Sequence, residues 1–188
     1  MTTSEVIEVG KINIEGCRVL FDANIWIIIN GLCGGGPGRR VAAYSNAYDH
    51  LLKKKNRIVV NDYVLGEIAN RSTKFEYQLA KQANPQIDSY KKYRQRPEFA
   101  PKMKFICDTC LDIVRSCEFV QVGRSKVDIV NAINEFCSGR LDFSDVILAE
   151  HCVQEGCYFM TDDADFNGSG LRLITANRRL ISQASGKP

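Results

Sequence analysis

Long apolar runs, histidines and net charge are all scarce in this sequence, and each shortage excludes a class of protein. The longest apolar candidate among the 188 residues, 25–30, ends at Gly31, well short of the roughly 18 to 20 residues that a membrane-spanning helix needs. Two histidines, His50 and His151, are too few for a histidine-based ligand set or catalytic base. A net charge of +3 does not by itself indicate a nucleic-acid partner. We expect no association with a membrane.

Eight cysteines are present, and they raise the question of a disulfide framework. Such frameworks belong to short secreted chains with poor cores, whereas 45% of this chain is hydrophobic. The N-terminal segment carries Glu5 and Glu8 and lacks the basic and apolar regions of a signal peptide. We therefore expect reduced thiols, a cytoplasmic location and a single domain over residues 1–188.

One cysteine pair has the CxxC spacing of metal and redox sites. Cys107 and Cys110 form this pair, but no second pair lies at the distance found in zinc ribbons. Together with Cys117, they fall at helical spacings within an apolar pattern, which predicts packing in the core. Cys152 and Cys157 are interpreted in the same way.

Short β-branched segments alternate with longer segments of helical periodicity, a pattern typical of a parallel sheet with helical crossovers. Residues 84–101 interrupt the alternation with three prolines and several basic side chains, which predicts an exposed insertion. Strands are predicted at residues 18–21, 57–60, 118–122, 156–160 and 171–175. Helices are predicted at residues 41–54, 63–79, 103–116, 125–138 and 143–155.

Acidic residues follow strands or lie in helices in four segments of the chain. Asp22 comes directly after the first predicted strand, although aspartate is unfavourable in strands. Glu67 stands among apolar residues in a predicted helix, and Asp145 lies in the first turn of the last one. The strand at 156–160 leads directly into three carboxylates, Asp162, Asp163 and Asp165.

These acids are expected to share one cleft. The carboxyl ends of parallel strands form one edge of a sheet, so Asp22 and the acids after residue 160 meet there if their strands are neighbours. Asp145 can join them because its helix precedes the last acidic strand. Clustered carboxylates repel one another unless a cation lies between them, and oxygen ligands alone favour Mg²⁺ or Mn²⁺. The chemistry indicated is metal-assisted hydrolysis of a phosphate ester.

Four short motifs surround these acids in a fixed order. They are FDANI (residues 21–25), VLGEI (64–68), FSDVILA (143–149) and TDDADF (161–166). In this order and strand context they resemble the motifs of the PIN-domain nucleases, a family that includes VapC-type toxins and several RNA-processing enzymes. The resemblance covers residues 18–177 and is weakest over 71–117, where a helical or exposed basic insertion is expected.

The resemblance implies a PIN-like three-layer α/β/α sandwich with a central sheet of about five parallel strands. It also implies an endoribonuclease that depends on Mg²⁺ or Mn²⁺. The implied catalytic acids are Asp22, Glu67, Asp145 and Asp163.

The same resemblance assigns separate roles within this set. Asp22, Asp145 and Asp163 would hold the metal directly or through water, while Glu67 completes the cage of negative charge. The supporting residues, which would position carboxylates or the scissile phosphate, are Asn24, Thr161 and Asp165.

Basic residues supply candidate contacts to RNA. Lys91, Lys92 and Arg94 are interleaved with two tyrosines, a combination that binds phosphates and stacks on unpaired bases. The run 53–55 with Arg57 is a second candidate flank of the cleft. The expected substrate is single-stranded or structured RNA. A toxin role would add a cognate antitoxin, a housekeeping or phage-related nuclease would not, and a homodimer is a further expectation.

Two other functions remain open. Residues 21–24 also resemble the nucleophile loop of haloacid-dehalogenase-like phosphatases, but that family has a second aspartate where Asn24 stands. A non-catalytic PIN-like module would bind RNA or a protein, although all four acid positions are filled here. The glycine-rich residues 31–38 lack the Gly-Lys-Ser/Thr ending of a phosphate-binding loop and predict a flexible loop beside Asp22.

Overall fold

The computed structural model describes residues 5–34 and 38–184. Within these ranges, six strands form one all-parallel sheet with the order β1-β6-β5-β2-β3-β4. The strands are β1 (Glu5–Glu8), β2 (Arg18–Phe21), β3 (Arg57–Val60), β4 (Glu118–Phe119), β5 (Tyr158–Met160) and β6 (Arg172–Thr175).

Helices connect the strands and pack on the sheet. In the described ranges they are α1 (Ala23–Ile29), α2 (Gly38–Lys53), α3 (Asp62–Ala83), α4 (Tyr90–Tyr93), α5 (Ala100–Ser116), α6 (Lys126–Phe136), α7 (Phe143–Gln154) and α8 (Arg178–Ala184). None of these helices combines the length and apolar character that crossing a lipid bilayer requires.

The central strands are buried on both faces of the sheet. Val19, Leu20 and Phe21 of β2 are all completely buried, although successive side chains of a strand point to opposite faces. Helices must therefore cover both faces, as is usual for a parallel sheet. The predicted three-layer α/β/α sandwich is confirmed, with six strands instead of about five.

Two elements at the start of the chain were not predicted. Among the described residues, β1 pairs only with β6, and its partly exposed residues do not form the continuous apolar run of a buried strand. α1 begins at Ala23, directly after β2 and Asp22, so no turn residues separate helix from strand. The short α8, after β6, was also missed.

The predicted strand at 118–122 is shorter than expected. Only Glu118–Phe119 pairs with β3, and Phe119 is half exposed at the free edge of the sheet. The apolar residue Val122 does not pair in the sheet but packs against the hydrophobic cluster formed by α6 and α7.

The segment 84–101 is not simply an exposed insertion. α3 extends to Ala83, and α5 packs against it. Between them the ring of Tyr93 is buried, with its centroid 5.2 Å from that of Phe99 and 5.9 Å from that of Tyr77. The aromatic residues of this segment therefore form a core with α3, whereas Lys91, Lys92 and Arg94 are exposed.

All eight cysteines lie in the described residues and are free thiols. Cys152 and Cys157 are buried as predicted, and Cys110 and Cys117 pack against the core. The prediction is wrong for Cys107, which is exposed. α5 buries its Ile106 side, and the next residue along a helix points about 100° away. Part of the predicted flexible loop at 31–38 lies outside the described residues.

Candidate functional site

The candidate site lies where the strand order of the sheet reverses. β2 pairs with β3 on one side and with β5 on the other, so Asp22 and Thr161 leave neighbouring strands at the same edge. The backbone N–H of Asp22 donates to the carbonyl oxygen of Met160 at 2.9 Å. This edge is where open parallel sheets bind ligands, and the predicted meeting of these two segments is confirmed.

Asp22 is held by two side chains. It is only 4% exposed, and its Oδ2 accepts hydrogen bonds from Thr161 Oγ1 at 2.7 Å and from Asn24 Nδ2 at 2.6 Å. Asp22 occupies the N-cap position of α1, a role that the sequence did not indicate, yet its side chain makes no capping hydrogen bond. Its carboxylate is instead oriented by Thr161 and Asn24.

The hydroxyl of Thr161 links two of the acids. It donates to Asp22 and accepts from the backbone N–H of Asp163 at 3.0 Å. Asn24 adds to this connection, because its Oδ1 accepts from the backbone N–H of Asp162 at 3.2 Å. Asn24 and Thr161, two of the three residues predicted as supporting, therefore contact the acids or their backbone.

Burial and mutual repulsion perturb the charge of Asp22. The pKa of Asp22 is raised to about 7, and burial is the largest cause. The charges of Glu67 and Asp145 contribute to this rise, whereas the hydrogen bond from Thr161 opposes it. Asp22 therefore shares its electrostatic environment with acids from α3 and α7.

Asp145 lies in the first turn of α7 and is half-buried. Burial, followed by repulsion from Glu67 and Asp163, raises its pKa to about 7. Among residues 5–34 and 38–184, no hydrogen bond or ion pair offsets its charge. The structure thus brings Glu67 close enough to both Asp22 and Asp145, and Asp163 close enough to Asp145, for their charges to raise the pKa values of Asp22 and Asp145.

Glu67 differs from Asp22, Asp145 and Asp163 because it has a basic partner in the described part of the chain. It lies on α3, its side chain is 28% exposed, and its Oε1 accepts from Arg71 Nη1 at 3.0 Å. Four residues separate the two positions, so the pair spans one helical turn. Arg71 was not singled out in the sequence, where an arginine on a helix is ordinary.

The three acids after β5 have different environments. Asp163 Oδ1 accepts from the backbone N–H of Asp165 at 3.0 Å, which orients a short turn beside Asp145. Asp165 is exposed and contributes a weaker repulsion to Asp145. Asp162 is instead paired with Arg40 at 2.9 Å and accepts from the hydroxyl of Tyr44 at 2.6 Å.

Tyr44 is a site-supporting residue that sequence reasoning missed. It is fully buried on α2, and its hydroxyl also accepts from the backbone N–H of Ala176 at 2.9 Å. Burial and the bond to Asp162 raise its pKa above the ordinary value. A tyrosine on the apolar side of a helix is ordinarily interpreted as a core residue, and nothing in the neighbouring sequence predicts the hydrogen bond to Asp162.

The donor set suits a hard cation by its chemistry. Asp22, Asp145 and Asp163 offer carboxylate oxygens without nitrogen or sulfur donors, which favours Mg²⁺ or Mn²⁺ over zinc. In the described part of the chain, no group of three or more His, Cys, Asp or Glu side chains is arranged to hold a metal ion by itself. Mg²⁺ commonly binds through one or two carboxylates and keeps several waters, so the donors fit this mode of binding.

Two cavities flank the start of α7. One, of about 570 Å³, runs along α3 and includes Glu67, Arg71, Lys74 and Ser144. The other, of about 760 Å³, lies between α6 and α7 and includes Asp165. Glu67 thus lines one of these surface grooves and Asp165 lines the other.

The two groups of basic residues predicted to contact RNA lie in different parts of the structure. Lys91, Lys92 and Arg94 are exposed on or next to α4. The tyrosines between them are engaged in the fold, since Tyr93 is buried and the hydroxyl of Tyr90 donates to Thr73 at 2.7 Å.

The second basic group lies at the wrong edge of the sheet. Residues 53–55 and Arg57 precede or begin β3, whereas Asp22 follows the carboxyl end of the parallel neighbour β2. These residues do not flank the acidic cleft. The sequence could not indicate this, because charge runs carry no information on which end of the sheet they occupy.

Comparison with known proteins bears on the fold. No model of a protein family matches the chain, and no curated protein sequence is similar to it. One similar solved structure is that of VapBC2 from Rickettsia felis, bound to a DNA fragment from its promoter. Its sequence is 14% identical to this one, the match covers 84% of this chain and 98% of that chain, and the TM-score is 0.49. PAE2754 from Pyrobaculum aerophilum is 15% identical over 92% of both chains, with a TM-score of 0.50. With its six-stranded parallel sheet, the chain has a PIN-like α/β fold.

Proposed function

We propose that this protein is a metal-dependent endoribonuclease that hydrolyses RNA phosphodiester bonds. The observation that supports it most is the convergence of acids from distant segments: Asp22 and Asp145 both have pKa values raised to about 7, and the charge of Asp145 contributes to the rise at Asp22. Structural proteins rarely keep such repelling groups together, and perturbed acids in a cleft mark candidate active sites.

In the proposed site, Asp22, Asp145 and Asp163 would hold the metal directly or through water, and Glu67 would complete the set of catalytic acids. When bound, Mg²⁺ or Mn²⁺ would activate a water for attack at phosphorus and stabilise the charge that develops on the phosphate. Thr161 and Asn24 orient Asp22, while the turn at Asp165 orients Asp163.

The expected partners follow from this proposal. RNA would approach the acids through the grooves beside α7, and Lys91, Lys92 and Arg94 stay candidates for contacts to its phosphates. A cognate antitoxin, a homodimer and a cytoplasmic location also stay predictions, and each depends on the biological role of the nuclease.

The test of the function is cleavage of a circular single-stranded RNA, which has no ends for an exonuclease. We expect the wild-type protein to linearise it with Mg²⁺ or Mn²⁺ and to lose this activity when the metal is chelated. A small phosphomonoester and a circular single-stranded DNA serve as alternative substrates. Cleavage that resists the chelator would contradict the mechanism. Hydrolysis of the phosphomonoester alone would favour a phosphatase, and RNA binding without cleavage a non-catalytic module.

Thr161→Val is expected to lower kcat for RNA cleavage by about 10- to 100-fold, as is common when a group that orients a ligand is removed. The valine keeps the shape but loses the hydrogen bond that lowers the pKa of Asp22, so the pH profile should shift toward alkaline pH. Thr161→Ser retains the hydroxyl and should restore both rate and profile. Equal pH profiles for the valine variant and wild type would exclude this positioning role.

A further inference from the structure

We propose that the groove along α3 binds the phosphodiester backbone of the nucleic-acid strand on one side of the scissile bond, with Arg71 and Lys74 as its phosphate-binding residues. This inference rests on the proposed nuclease function and assigns residues for its substrate. It places the nucleic-acid strand on a surface of α3 that begins at Glu67, a proposed catalytic acid.

The groove and the acids are continuous. Glu67, Asn70, Arg71 and Lys74 recur at helical spacings that put them on one side of α3, and all four line the cavity of about 570 Å³. Ser144, next to Asp145, lines the same cavity from the first turn of α7. A strand lying in this groove would therefore pass directly from Lys74 to the acids.

Arg71 can serve the acid and a phosphate together. Only one of its five N–H donors is used by Glu67, and its side chain is 51% exposed. The remaining donors suit the two-pronged binding of a phosphate, which arginine favours. By pairing with Glu67, Arg71 also lowers the repulsion that the acidic cluster exerts on an approaching polyanion.

Lys74 differs from other cations near the site. Arg40 is paired with Asp162, Lys102 with Glu76 and Arg124 with Glu150. Lys74 is exposed, and no acidic partner for it occurs in residues 5–34 and 38–184. Its position one turn beyond Arg71, about 5 Å farther from the acids, suits the next phosphate of the strand.

The test measures binding of fluorescein-labelled single-stranded RNA to full-length protein over a range of salt concentrations, with chelator present to prevent cleavage. Wild-type affinity should fall steeply with salt. Arg71→Ala/Lys74→Ala should weaken binding about tenfold or more and reduce the salt slope by about 1.4, because two counterion-releasing contacts with a single strand are lost. Arg71→Lys/Lys74→Arg keeps both charges and should retain most of the slope.

A matched control removes two positive charges from the opposite edge of the sheet. Lys53→Ala/Lys54→Ala should leave both affinity and slope near wild type. Equal slopes for the two double alanine variants would overturn the assignment of Arg71 and Lys74, while RNA cleavage by wild type, scored separately, would leave the proposed function intact. Absence of both cleavage and RNA binding in wild type would overturn the function and this inference together.

Discussion

Asp145→Asn is expected to reduce metal-dependent RNA cleavage on the order of 1000-fold while the protein stays folded. Asp145 is half-buried, and no partner in the described part of the chain offsets its charge. In the proposed site, that charge is available for a cation. Asparagine has nearly the same shape but no charge, so it removes the electrostatic attraction without opening a cavity.

The measurement combines activity with a readout of metal binding. Mg²⁺ should raise the thermal unfolding midpoint of wild type, because a ligand that binds only the folded state stabilises it, and this increase should disappear in Asp145→Asn. Asp142→Asn is the matched control, since Asp142 is exposed at the N-cap of the same helix and makes no capping hydrogen bond. Similar cleavage rates for the two variants would refute a metal-binding role for Asp145.

Asp22→Asn is expected to stabilise the metal-free protein increasingly as the pH rises. The folded-state pKa of Asp22 is about 7, raised first by burial, whereas an unfolded aspartate titrates near 3.8. Between these values the folded state retains a proton that the unfolded state releases, so stability is lost as the pH rises from the unfolded to the folded pKa. Above about pH 7 the full free-energy cost of ionising the buried Asp22 side chain is present, and the neutral asparagine removes this cost.

The expected gain is on the order of 2 kcal/mol above pH 7, below the limit of about 4 kcal/mol that the pKa shift implies, because an amide accepts fewer hydrogen bonds. For a chain of this size it corresponds to an increase of roughly 4 to 8 °C in the unfolding midpoint. The gain should vanish near the unfolded pKa, where wild-type Asp22 is increasingly neutral in both states.

Urea unfolding of wild type and variant across this pH range, in chelator, measures the difference directly. Asp49→Asn, at an exposed position of α2, controls for the general effect of removing a negative charge. A constant difference between Asp22→Asn and wild type at every pH would contradict the raised pKa. Because a cation would relieve the same repulsion, Mg²⁺ should stabilise wild type more than Asp22→Asn.

Local sequence determined much of the layer structure. The strands predicted at 18–21 and 57–60 have the bounds of β2 and β3, because a strand buried on both faces is a continuous apolar run. The start of α7, with Asp145 in its first turn, follows from the apolar residues that come next. Edge strand β1 and helix α1 escaped prediction, since one is half exposed and the other follows β2 without a turn.

The candidate site depended on both the local sequence and the tertiary structure. The sequence alone shows that acids follow β2 and β5 and lie at the start of α7. It also shows the hydroxyl of Thr161 beside them. Only the tertiary structure decided that Asp162 pairs with Arg40 and Tyr44, whereas the charge of Asp163 acts on Asp145. Hydrophobic periodicity reports burial along one element, but contacts between side chains depend on how elements remote in sequence pack. For the same reason only the fold could place residues 53–55 at the opposite edge and Arg71 and Lys74 beside the acids.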